Sequence, residues 1–597
     1  MSLSFEALRR AVARRPRLWA ALLPLYRRWV SARFAIARWP RRPLFGGLLP
    51  TGFERAYRRR LRAEAARAAQ DKAAIARHIA ALPRRPLISV LLLGEAARPG
   101  GREASSASLA AQLWPEWELL PPGDPQARLL AARGEWVVLL RAGDRLAPEA
   151  LYEIAIAAEE ERHLAALYAD EDRLDPRAGR CAPMFRPGFD PDLLRAMDPM
   201  RHLAAFRRET MLALGGLRPA FAPAEAHDLA LRLLAAKGAG AFRRIPAILC
   251  HAAPTPEAED RAHSDASRRA LRAHLDAIGV AAEVDAAPLA PLLHRISPAL
   301  PRSAPLVSVI IPTRDRAGLL RAALEGLLHR TEYPALEVLV VDNDSREPET
   351  RALFAELARD PRLRVLPMPG PFNYPLLNNA AAAEARGEFL LLLNNDTEVI
   401  QPDWLARMVA KAADPTIGAV GARLLYADGR LQHGGVVTGI GARRDAIAAH
   451  LSAGSPGNDP GPFGWMGITR EVSVVTAACL LVRREHYLAV GGMDAKALRV
   501  AFNDVDFCLK LRAAGLRNLY MGEVALFHLE SVSRGAEDTP EKRARFQAEC
   551  ATMRARWGVV LDNDPFWNPN LDPLWTEPWP ARAPRRPRPW AAYLPGG

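Results

Sequence analysis

The chain has 597 residues, of which 49% are apolar and 25% are charged, a balance typical of ordinary globular proteins. Its five cysteines have no paired spacing, which argues against a disulfide framework or a zinc site and favours a reducing compartment. No apolar run approaches the ~18–20 residues of a membrane span, and arginines interrupt the start where a signal peptide has its apolar core. We therefore expect a cytoplasmic protein.

The net charge of +14 is concentrated in residues 1–85, which carry +17 while the remaining 512 residues sum to −3. Arginines there interleave with Trp19, Tyr26 and Trp29 in predicted helices that prolines interrupt. This basic helical extension suits contact with anionic lipid headgroups at the inner face of the cell membrane. The alternative is a solvated extension. Charge alone also permits nucleic-acid binding, but no supporting module is present, so we expect no nucleic-acid partner.

The rest of the chain contains an internal repeat. PLISVLLL from Pro86 is matched by PLVSVIIP from Pro305, and ARGEWVVLL at 132–140 is matched by ARGEFLLLL at 385–393. Two later segments match in the same order, LALGGL with LAVGGM and DLALRLLAAKG with DFCLKLRAAGL. Strands that alternate with helices predict a mostly parallel α/β sheet in each copy.

These patterns predict two domains of one fold, over 86–290 and 303–555. The Pro-rich residues between the two domains, 286–302, are typical of a linker. Residues 556–597 are rich in Pro and Trp without helical or strand period. We predict that this tail lies over the second domain as an irregular strap or is partly disordered.

Three buried strands of the second copy each end in polar residues: Thr313 and Arg314, then Asp342 to Ser345, then Asn394 to Asp396. Ligands bind at the carboxyl ends of strands in open α/β sheets. A carboxylate there can hold a hard divalent cation, and such a cation can hold a diphosphate. The alternative is a strand-to-turn junction, where Asn and Asp form local backbone hydrogen bonds.

Four ordered segments of the second copy, IPTRDR, VVDNDS, LLLLNNDTEV and AFNDVDFCLKLRAAG, together resemble the family 2 glycosyltransferases. FHLESVSRG at 527–535 is similar to the terminal signature of tandem-domain members from bacterial O-antigen and polysaccharide synthesis. The resemblance implies two tandem Rossmann-like nucleotide-sugar-binding domains of GT-A type. It also implies a divalent metal, Mn²⁺ or Mg²⁺, and inverting transfer of a hexose or deoxyhexose.

Site residues follow from the resemblance position by position. The donor nucleotide would be held by Pro312, Thr313, Arg314, Asp342, Asp344 and Asn394. Asp396 and His528 would hold the metal, since Asn394 replaces the first acid of the family's Asp-X-Asp motif. Asp504 matches the catalytic base, with Asn503 in place of the usual Glu neighbour. Diphosphate or acceptor contacts would come from Glu530, Ser531, Arg534 and His433.

The residue types fit the implied chemistry. An acceptor hydroxyl must lose a proton as it attacks, which needs a carboxylate beside it, and a cation stabilises the departing nucleoside diphosphate. The acceptor would be a saccharide or a lipid-linked saccharide. Asp504 could instead have a structural role, as an acid that the dipole of a helix N-terminus stabilises. Asp506 fits that structural role better. His528 could instead be a core histidine whose ring nitrogens are hydrogen-bonded within the protein.

The first copy lacks the same residues when the repeats are aligned without a gap. Gly143 then falls on Asp396, with Asp144 one position away, and Gly123 and Ala226 replace Asp342 and Asp504. Three simultaneous losses predict a degenerate domain. Asp170, Glu171 and Asp172 could bind a cation or a sugar, but an acidic loop is the simpler interpretation.

Two other hypotheses stay open for the whole chain. In one, both domains transfer sugars and the first uses the displaced Asp144. In the other, the chain is a non-catalytic scaffold in polysaccharide assembly.

Overall fold

The computed structural model describes residues 43–44, 47–48, 52–94, 100–177, 179–441, 446–529 and 539–595. They form two compact units. The N-terminal unit contains residues 52–296 and 565–595. The C-terminal unit contains residues 297–564, with a short strand pair, β1 (Pro43–Leu44) and β2 (Gly47–Leu48).

The N-terminal unit is built on a mixed sheet. Its strands are β3 (Ile88–Leu93), β4 (Trp117–Leu119), β5 (Trp136–Arg141), β6 (Arg145–Leu146), β7 (Ala166–Asp175), β8 (Gly179–Met184), β9 (Leu203–Arg207) and β10 (Phe242–Ala252). The strand order is β4-β3-β5-β9-β7-β10-β6, with β8 beside β7. A separate pair, β11 (Ala282–Ala287) and β12 (Ala290–Pro298), follows the sheet in the chain.

Helices cover both faces of this sheet. They are α1 (Phe53–Ala65), α2 (Ala68–Ala81), α3 (Gly101–Ala110), α4 (Pro125–Ala131), α5 (Ala150–Glu160), α6 (Pro191–Ala196), α7 (Arg208–Ala213), α8 (Glu225–Lys237) and α9 (Glu257–Ala277). Alternate side chains of β5 enter different cores, since Val138 packs with α2 and α5 whereas Val137 packs with α8 and α9. This alternation is the two-residue period of a strand that is buried on both faces.

The C-terminal unit has a larger mixed sheet. Its strands are β13 (Val307–Thr313), β14 (Leu336–Asp342), β15 (Leu363–Pro367), β16 (Phe389–Leu393), β17 (Thr397–Val399), β18 (Ile417–Leu425), β19 (Leu431–His433), β22 (Thr469–Val472), β23 (Cys479–Arg483) and β24 (Arg517–His528). A small ribbon contains β20 (Val436–Thr438) and β21 (Ala448–His450). The order is β15-β14-β13-β16-β23-β18-β24-β17, with β19 beside β18 and β22 beside β24.

The helices of the C-terminal unit also lie on both faces. They are α10 (Ala317–His329), α11 (Pro348–Leu357), α12 (Tyr374–Glu384), α13 (Trp404–Ala412), α14 (Arg484–Ala489), α15 (Asn503–Ala513) and α16 (Pro540–Asp562). All five residues of β16 are buried, as the continuous apolar run predicted. Leu391 packs with α10 and α13, and Leu390 packs with α12 and α15.

The two sheets share one strand pattern. In the C-terminal unit β13 pairs in parallel with β14 and β16, and β16 pairs antiparallel with β23. In the N-terminal unit β3 pairs in parallel with β4 and β5, and β5 pairs antiparallel with β9. Both sheets are mixed: parallel pairing predominates around β13 and β3, as predicted, and antiparallel strands such as β23 and β9 complete each sheet. Further strands, rather than one crossover helix, separate β16 from β23 in the chain, so β23 is free to run antiparallel.

The repeated ARGE segment has the same structural role in both units. In the C-terminal unit a Cβ on Gly387 would lie 2.6 Å from the backbone nitrogen of Ser308, so only glycine fits there. The N–H of Gly387 donates to Ser308 Oγ (2.8 Å), and Arg386 Nε donates to Glu337 Oε2 (2.8 Å). The N-terminal unit repeats both contacts with Gly134, Ser89, Arg133 and Glu118. This motif therefore joins neighbouring strands and does not form a site.

Two predicted boundaries differ from the structure. Strand β12 occupies residues 290–298, where a linker was predicted. Helices α1 and α2 pack into the N-terminal unit rather than forming a separate extension: Tyr57 is fully buried, and its hydroxyl donates to Asp172 Oδ2 (2.5 Å). The preceding part of that extension lies outside the described residues. Within the described part of the chain, no helix combines the length and the apolar character that crossing a bilayer requires.

Residues 565–595, here called the tail segment, pack in the N-terminal unit and not over the second domain as predicted. The Nδ2 groups of Asn568 and Asn570 each donate to Asp170 Oδ2 at 2.9 Å. Asp170 is fully buried, and burial raises the pKa of its carboxyl. A buried carboxylate needs donors, which explains why this irregular segment binds here. Trp590 joins the core beside α2 and α5.

Candidate active site

The carboxyl ends of β13, β14 and β16 meet at one edge of the C-terminal sheet. Thr313 and Asp342 are partners in the parallel register of β13 and β14. The N–H of Asn343 donates to the carbonyl of Thr313 (2.9 Å), and Asn395 Nδ2 donates to Thr313 Oγ1 (2.9 Å). The structure therefore brings together all three polar clusters that end these strands.

Two loops at this edge are joined through Asp315, a residue that the sequence analysis did not single out. Its Oδ1 accepts from the backbone N–H groups of Glu347 (2.8 Å) and Arg346 (2.7 Å), which hold the pKa of the carboxyl below its usual range. Asp315 and Asp344 both have positive φ, 55° and 64°. The loops after β13 and β14 thus form one connected wall at the edge of the sheet.

The residues predicted to hold the donor nucleotide differ in exposure. Pro312 is buried within β13, whereas Arg314 is exposed. Asp342 Oδ1 accepts from the N–H of Ser345 (2.9 Å), and Asp344 Oδ2 accepts from the guanidinium of Arg346 (2.8 Å). Arg314 is therefore the solvent-facing cation of this group.

Asn394, Asp396 and His528 converge beside these loops. Strand β17 begins directly after Asp396, and its first residue, Thr397, is the antiparallel partner of His528 on β24. His528 Nε2 lies 3.1 Å from Asp396 Oδ1 and 3.0 Å from Asn394 Nδ2. Asp396 and His528 are only 4% and 7% exposed, so the strand pairing fixes both side chains.

The pair formed by Asp396 and His528 fits a divalent cation as a partial ligand set. Octahedral Mg²⁺ has bonds of about 2.1 Å, so neighbouring ligand atoms lie about 3 Å apart, close to the 3.1 Å between Asp396 Oδ1 and His528 Nε2. Among the described residues, no group of three or more His, Cys, Asp or Glu side chains is arranged to hold a metal. A cation here would take its other ligands from a diphosphate and water. Glu530, Ser531 and Arg534 lie outside the described residues.

Asp504 lies in the first turn of α15 and is half-buried. Its Oδ2 accepts from the N–H of Ala477 (3.3 Å). The carbonyl of Ala477 accepts from the Tyr374 hydroxyl (2.9 Å), and the carbonyl of Ala478 accepts from the N–H of Asn394 (3.1 Å). Residues 477 and 478 therefore connect the predicted base to the predicted metal motif. Tyr374 was missed, because nothing in its local sequence marks a contact with residue 477.

Asp506 takes the structural role that a helix N-terminus offers to an acid. It is fully buried, and its Oδ1 accepts from Arg556 Nη1 (2.6 Å) and Trp557 Nε1 (2.8 Å). Asp504 makes no such ion pair with these two residues. Asp504 also meets the helix N-terminus alternative, because its Oδ1 accepts from the N–H of Val505 (2.9 Å) in the same turn.

His433 is fully buried, and its Nδ1 lies 3.0 Å from Nδ1 of His450. Burial lowers the pKa of His433 well below its usual value. In this position the ring is closed to a diphosphate or an acceptor. The adjacent Gln432 reaches the site instead, because its Oε1 lies 2.6 Å from His528 Nδ1. Gln432 is the extra residue of a β-bulge between Leu431 and His433, and a bulge can re-aim a side chain, which separates these neighbours.

The N-terminal unit has an acid and a histidine at the corresponding strand positions. Arg145, the first residue of β6, is the antiparallel partner of His251 on β10, as Thr397 is of His528. Asp144 therefore corresponds to Asp396, and the ungapped alignment that placed Gly143 there was wrong by one residue. The extra residue lies in the turn between β5 and β6, where an ungapped comparison cannot detect it.

Asp144 and His251 are bound to other partners. Asp144 is fully buried, with Oδ2 2.7 Å from His202 Nδ1 and Oδ1 accepting from the N–H of Ala253 (2.8 Å). His251 Nδ1 lies 2.6 Å from Asp172 Oδ1. The segment 170–172 is buried in β7, so its interpretation as an acidic loop was wrong.

Residues 308–487 match the sequence profile of Glycosyl transferase family 2. The C-terminal unit contains a family 2 glycosyltransferase domain. The match covers the strands that end in Thr313, Asp342 and the Asn394–Asp396 cluster. Asp504 and His528 lie beyond the matched residues, so their assignment depends on the contacts described above.

Two curated relatives are similar over most of this chain. The uncharacterized protein y4gI of Sinorhizobium fredii is 42% identical over 448 residues, which cover 74% of this chain and 49% of that protein. The O-antigen biosynthesis protein RfbC of Myxococcus xanthus is 39% identical over 533 residues, which cover 83% of this chain and 41% of that protein. The chain thus spans about half or less of the length of these relatives.

Two solved structures overlap with part of the chain. A mannosyltransferase from Pyrobaculum calidifontis in complex with GDP-Man and Mn²⁺ is 20% identical with a TM-score of 0.32, covering 43% of this chain and 66% of that one. GalNAc-T7 with UDP, GalNAc and Mn²⁺ is 14% identical with a TM-score of 0.34, covering 43% and 49%. Both overlaps are too distant to carry an argument about this site.

Proposed function

We propose that this chain transfers a hexose or deoxyhexose from a nucleoside diphosphate donor to a saccharide or lipid-linked saccharide in cell-surface polysaccharide synthesis. The observation that carries the proposal is the convergence of Asn394, Asp396 and His528 at the edge of the family 2 sheet, with Asp504 connected to them through Ala477. The relative RfbC, named for O-antigen biosynthesis, supports the choice of process.

The proposed reaction is a single displacement. Asp504 takes the proton of the acceptor hydroxyl as the hydroxyl oxygen forms a bond to the anomeric carbon. The bond from that carbon to the diphosphate breaks, and the nucleoside diphosphate leaves with the bonding electrons. Attack and departure on opposite faces invert the anomeric centre.

Asp396 and His528 would hold a divalent cation, Mn²⁺ or Mg²⁺, against the diphosphate. A bound cation neutralises the negative charge that develops on the leaving nucleoside diphosphate. Arg314, which is exposed directly after β13, would add a second positive charge. The wall formed by the loops after β13 and β14 would hold the nucleoside through Thr313 and Asp342.

A panel of nucleotide sugars tests the proposal. Melting of the full chain is followed with each donor, with and without Mn²⁺, and hydrolysis of any stabilising donor is then measured. We expect one donor to raise the melting temperature only with Mn²⁺ and to be hydrolysed slowly. If no donor stabilises the protein under either condition, the scaffold hypothesis replaces this one.

We further propose that residues 1–51 bring the enzyme to anionic membrane surfaces. They contain 11 arginines and one acid, a net charge of +10, and each basic residue near such a surface contributes about 1 kcal/mol. Residues 52–85 belong to the folded N-terminal unit, where Arg60 is 3% exposed and its Nη2 donates to Asn570 Oδ1 (3.0 Å), although Arg58, Arg59 and Arg62 of α1 stay exposed. Access to lipid-linked acceptors would be the benefit.

Co-sedimentation with anionic liposomes distinguishes the two hypotheses for this segment. The full chain is compared with a shortened chain that begins at Gly52, which keeps α1 and α2 intact. We expect binding by the full chain alone, and weaker binding as salt rises, since exposed charges are screened within ~8 Å at physiological ionic strength. Equal binding by both chains would leave residues 1–51 as a solvated extension.

A further inference from the structure

Gln432 contacts the predicted metal-binding histidine from the side that faces away from Asp396. It lies on β19, is 6% exposed, and places its Oε1 2.6 Å from Nδ1 of His528. Strand β19 pairs with β18, the neighbour of the strand that carries His528. Gln432 is the bulged residue between Leu431 and His433, and the pairing of these two neighbours with β18 holds its amide beside His528.

The contact determines which ring nitrogen of His528 carries the proton. An amide oxygen accepts a hydrogen bond, so Nδ1 is the protonated nitrogen of the neutral ring. Nε2 then accepts from Asn394 Nδ2 (3.0 Å), while its lone pair and Asp396 Oδ1 (3.1 Å) are two acceptors that a cation can join. The donor group of Asn394 agrees with this assignment, because it needs an acceptor at Nε2. A histidine binds a metal through a nitrogen lone pair.

We propose that Gln432 is a positioning residue that holds His528 in the tautomer with its lone pair at Nε2, ready to bind a divalent cation together with Asp396. The inference rests on the proposed function, since it concerns the cation of that site. Without Gln432, Nε2 is free to take the proton and donate it to the Asp396 carboxylate. That arrangement uses the lone pair that the cation needs.

Three variants of the full chain test this role. Gln432→Leu removes the acceptor and keeps the volume. Gln432→Glu keeps an acceptor for Nδ1–H, in the carboxylate–histidine arrangement common behind metal ligands. Gln401→Leu is the matched control, since Gln401 is half-buried in the same unit and donates instead to the carbonyl of Glu523 (3.2 Å).

Two measurements are made on each variant. The ¹⁵N shifts of the His528 ring in metal-free, histidine-labelled protein at pH 9 report the tautomer, with His528→Gln used for assignment. Electron paramagnetic resonance titration reports Mn²⁺ affinity. We expect Gln432→Leu to move the proton to Nε2 and to weaken Mn²⁺ binding by about 10- to 100-fold. We expect Gln432→Glu and Gln401→Leu to keep the tautomer and an affinity close to that of the parent chain.

A purely structural role for Gln432 predicts the opposite order, because a buried charge disturbs a packed strand more than leucine does. An unchanged tautomer in Gln432→Leu, or weaker Mn²⁺ binding in Gln432→Glu than in Gln432→Leu, would overturn the inference. If the parent chain binds no Mn²⁺, the metal in the proposed function fails. The ring shifts of His528 still decide the role of Gln432.

Discussion

Each unit places an acid before a short edge strand and a histidine opposite its first residue, yet the two pairs have different partners. In the C-terminal unit Asp396 and His528 face each other across 3.1 Å. In the N-terminal unit Asp144 contacts His202 and His251 contacts Asp172. Strand topology thus sets where such residues stand, and their neighbours decide whether they form a site.

The strand register explains why Asp144 contacts His202 and not His251. His202 directly precedes β9, which begins opposite Leu140, while Ala478 directly precedes β23, which begins opposite Leu393. A histidine in the N-terminal unit therefore stands where the C-terminal unit has alanine, and it binds the acid. The small side chain of Ala478 leaves Asp396 available to His528.

The largest contrast in donor binding is expected between variants of Asp396 and Asp144. Asp396→Ala should remove Mn²⁺-dependent donor binding, a loss beyond the roughly 10- to 100-fold that loss of an outer-shell partner causes. Asp144→Ala should leave donor binding unchanged and lower the stability of the N-terminal unit by about 1–3 kcal/mol, because His202 loses its partner. Calorimetric titration of the donor checks both. Loss of donor binding in Asp144→Ala would revive the hypothesis of two catalytic domains.

The next contrast separates two acids of one helix. Asp504→Asn should keep donor binding and lower turnover by ~100-fold or more, because the amide cannot accept the proton. Asp506→Asn should keep turnover within a few-fold below the melting temperature, and lower stability by about 3 kcal/mol through the loss of its buried contact with Arg556. Initial rates and thermal melts of both variants separate the roles. Near-normal turnover in Asp504→Asn would exclude it as the base.

The smallest effect on donor binding and turnover is expected from the tail segment. Replacing Asn568 and Asn570 together by alanine leaves the buried Asp170 carboxylate without these donors, which costs about 1–3 kcal/mol for each lost bond. Calorimetry should show earlier melting with unchanged Mn²⁺-dependent donor binding. Asn563→Ala, which removes an exposed amide contact to the carbonyl of Val559, is the control. Equal melting of both variants would mean that the tail segment contributes little.

The sequence predicted those parts of the fold that leave a local pattern. The apolar run Phe389–Leu393 predicted a strand buried on both faces, because such a strand has no polar alternation. The polar residues after it predicted where the strand ends meet. The contact of Gln432 with His528 left no such pattern, since it joins residues 96 positions apart through the order of strands in the sheet.

The errors in the position of Asp144 and in the placement of the tail segment have the same physical origin. The position of Asp144 depends on where β5 stops, and one additional turn residue shifts it without changing the apolar run before it. The tail segment is held by single amides such as Asn568 on a buried carboxylate. Irregular backbone has no periodicity from which such a partner can be inferred.

The tail segment also determines when the N-terminal unit can finish folding during synthesis. Translation proceeds at about 5–20 residues per second, so the roughly 270 residues between Ile296 and Pro565 take about 13 to 54 s to appear. Throughout that interval the N-terminal unit has emerged from the ribosome without Asn568, Asn570 or Trp590. Its core is completed only after the C-terminal unit has been synthesised, so a nascent chain that stalls within the transferase domain carries an unfinished first unit.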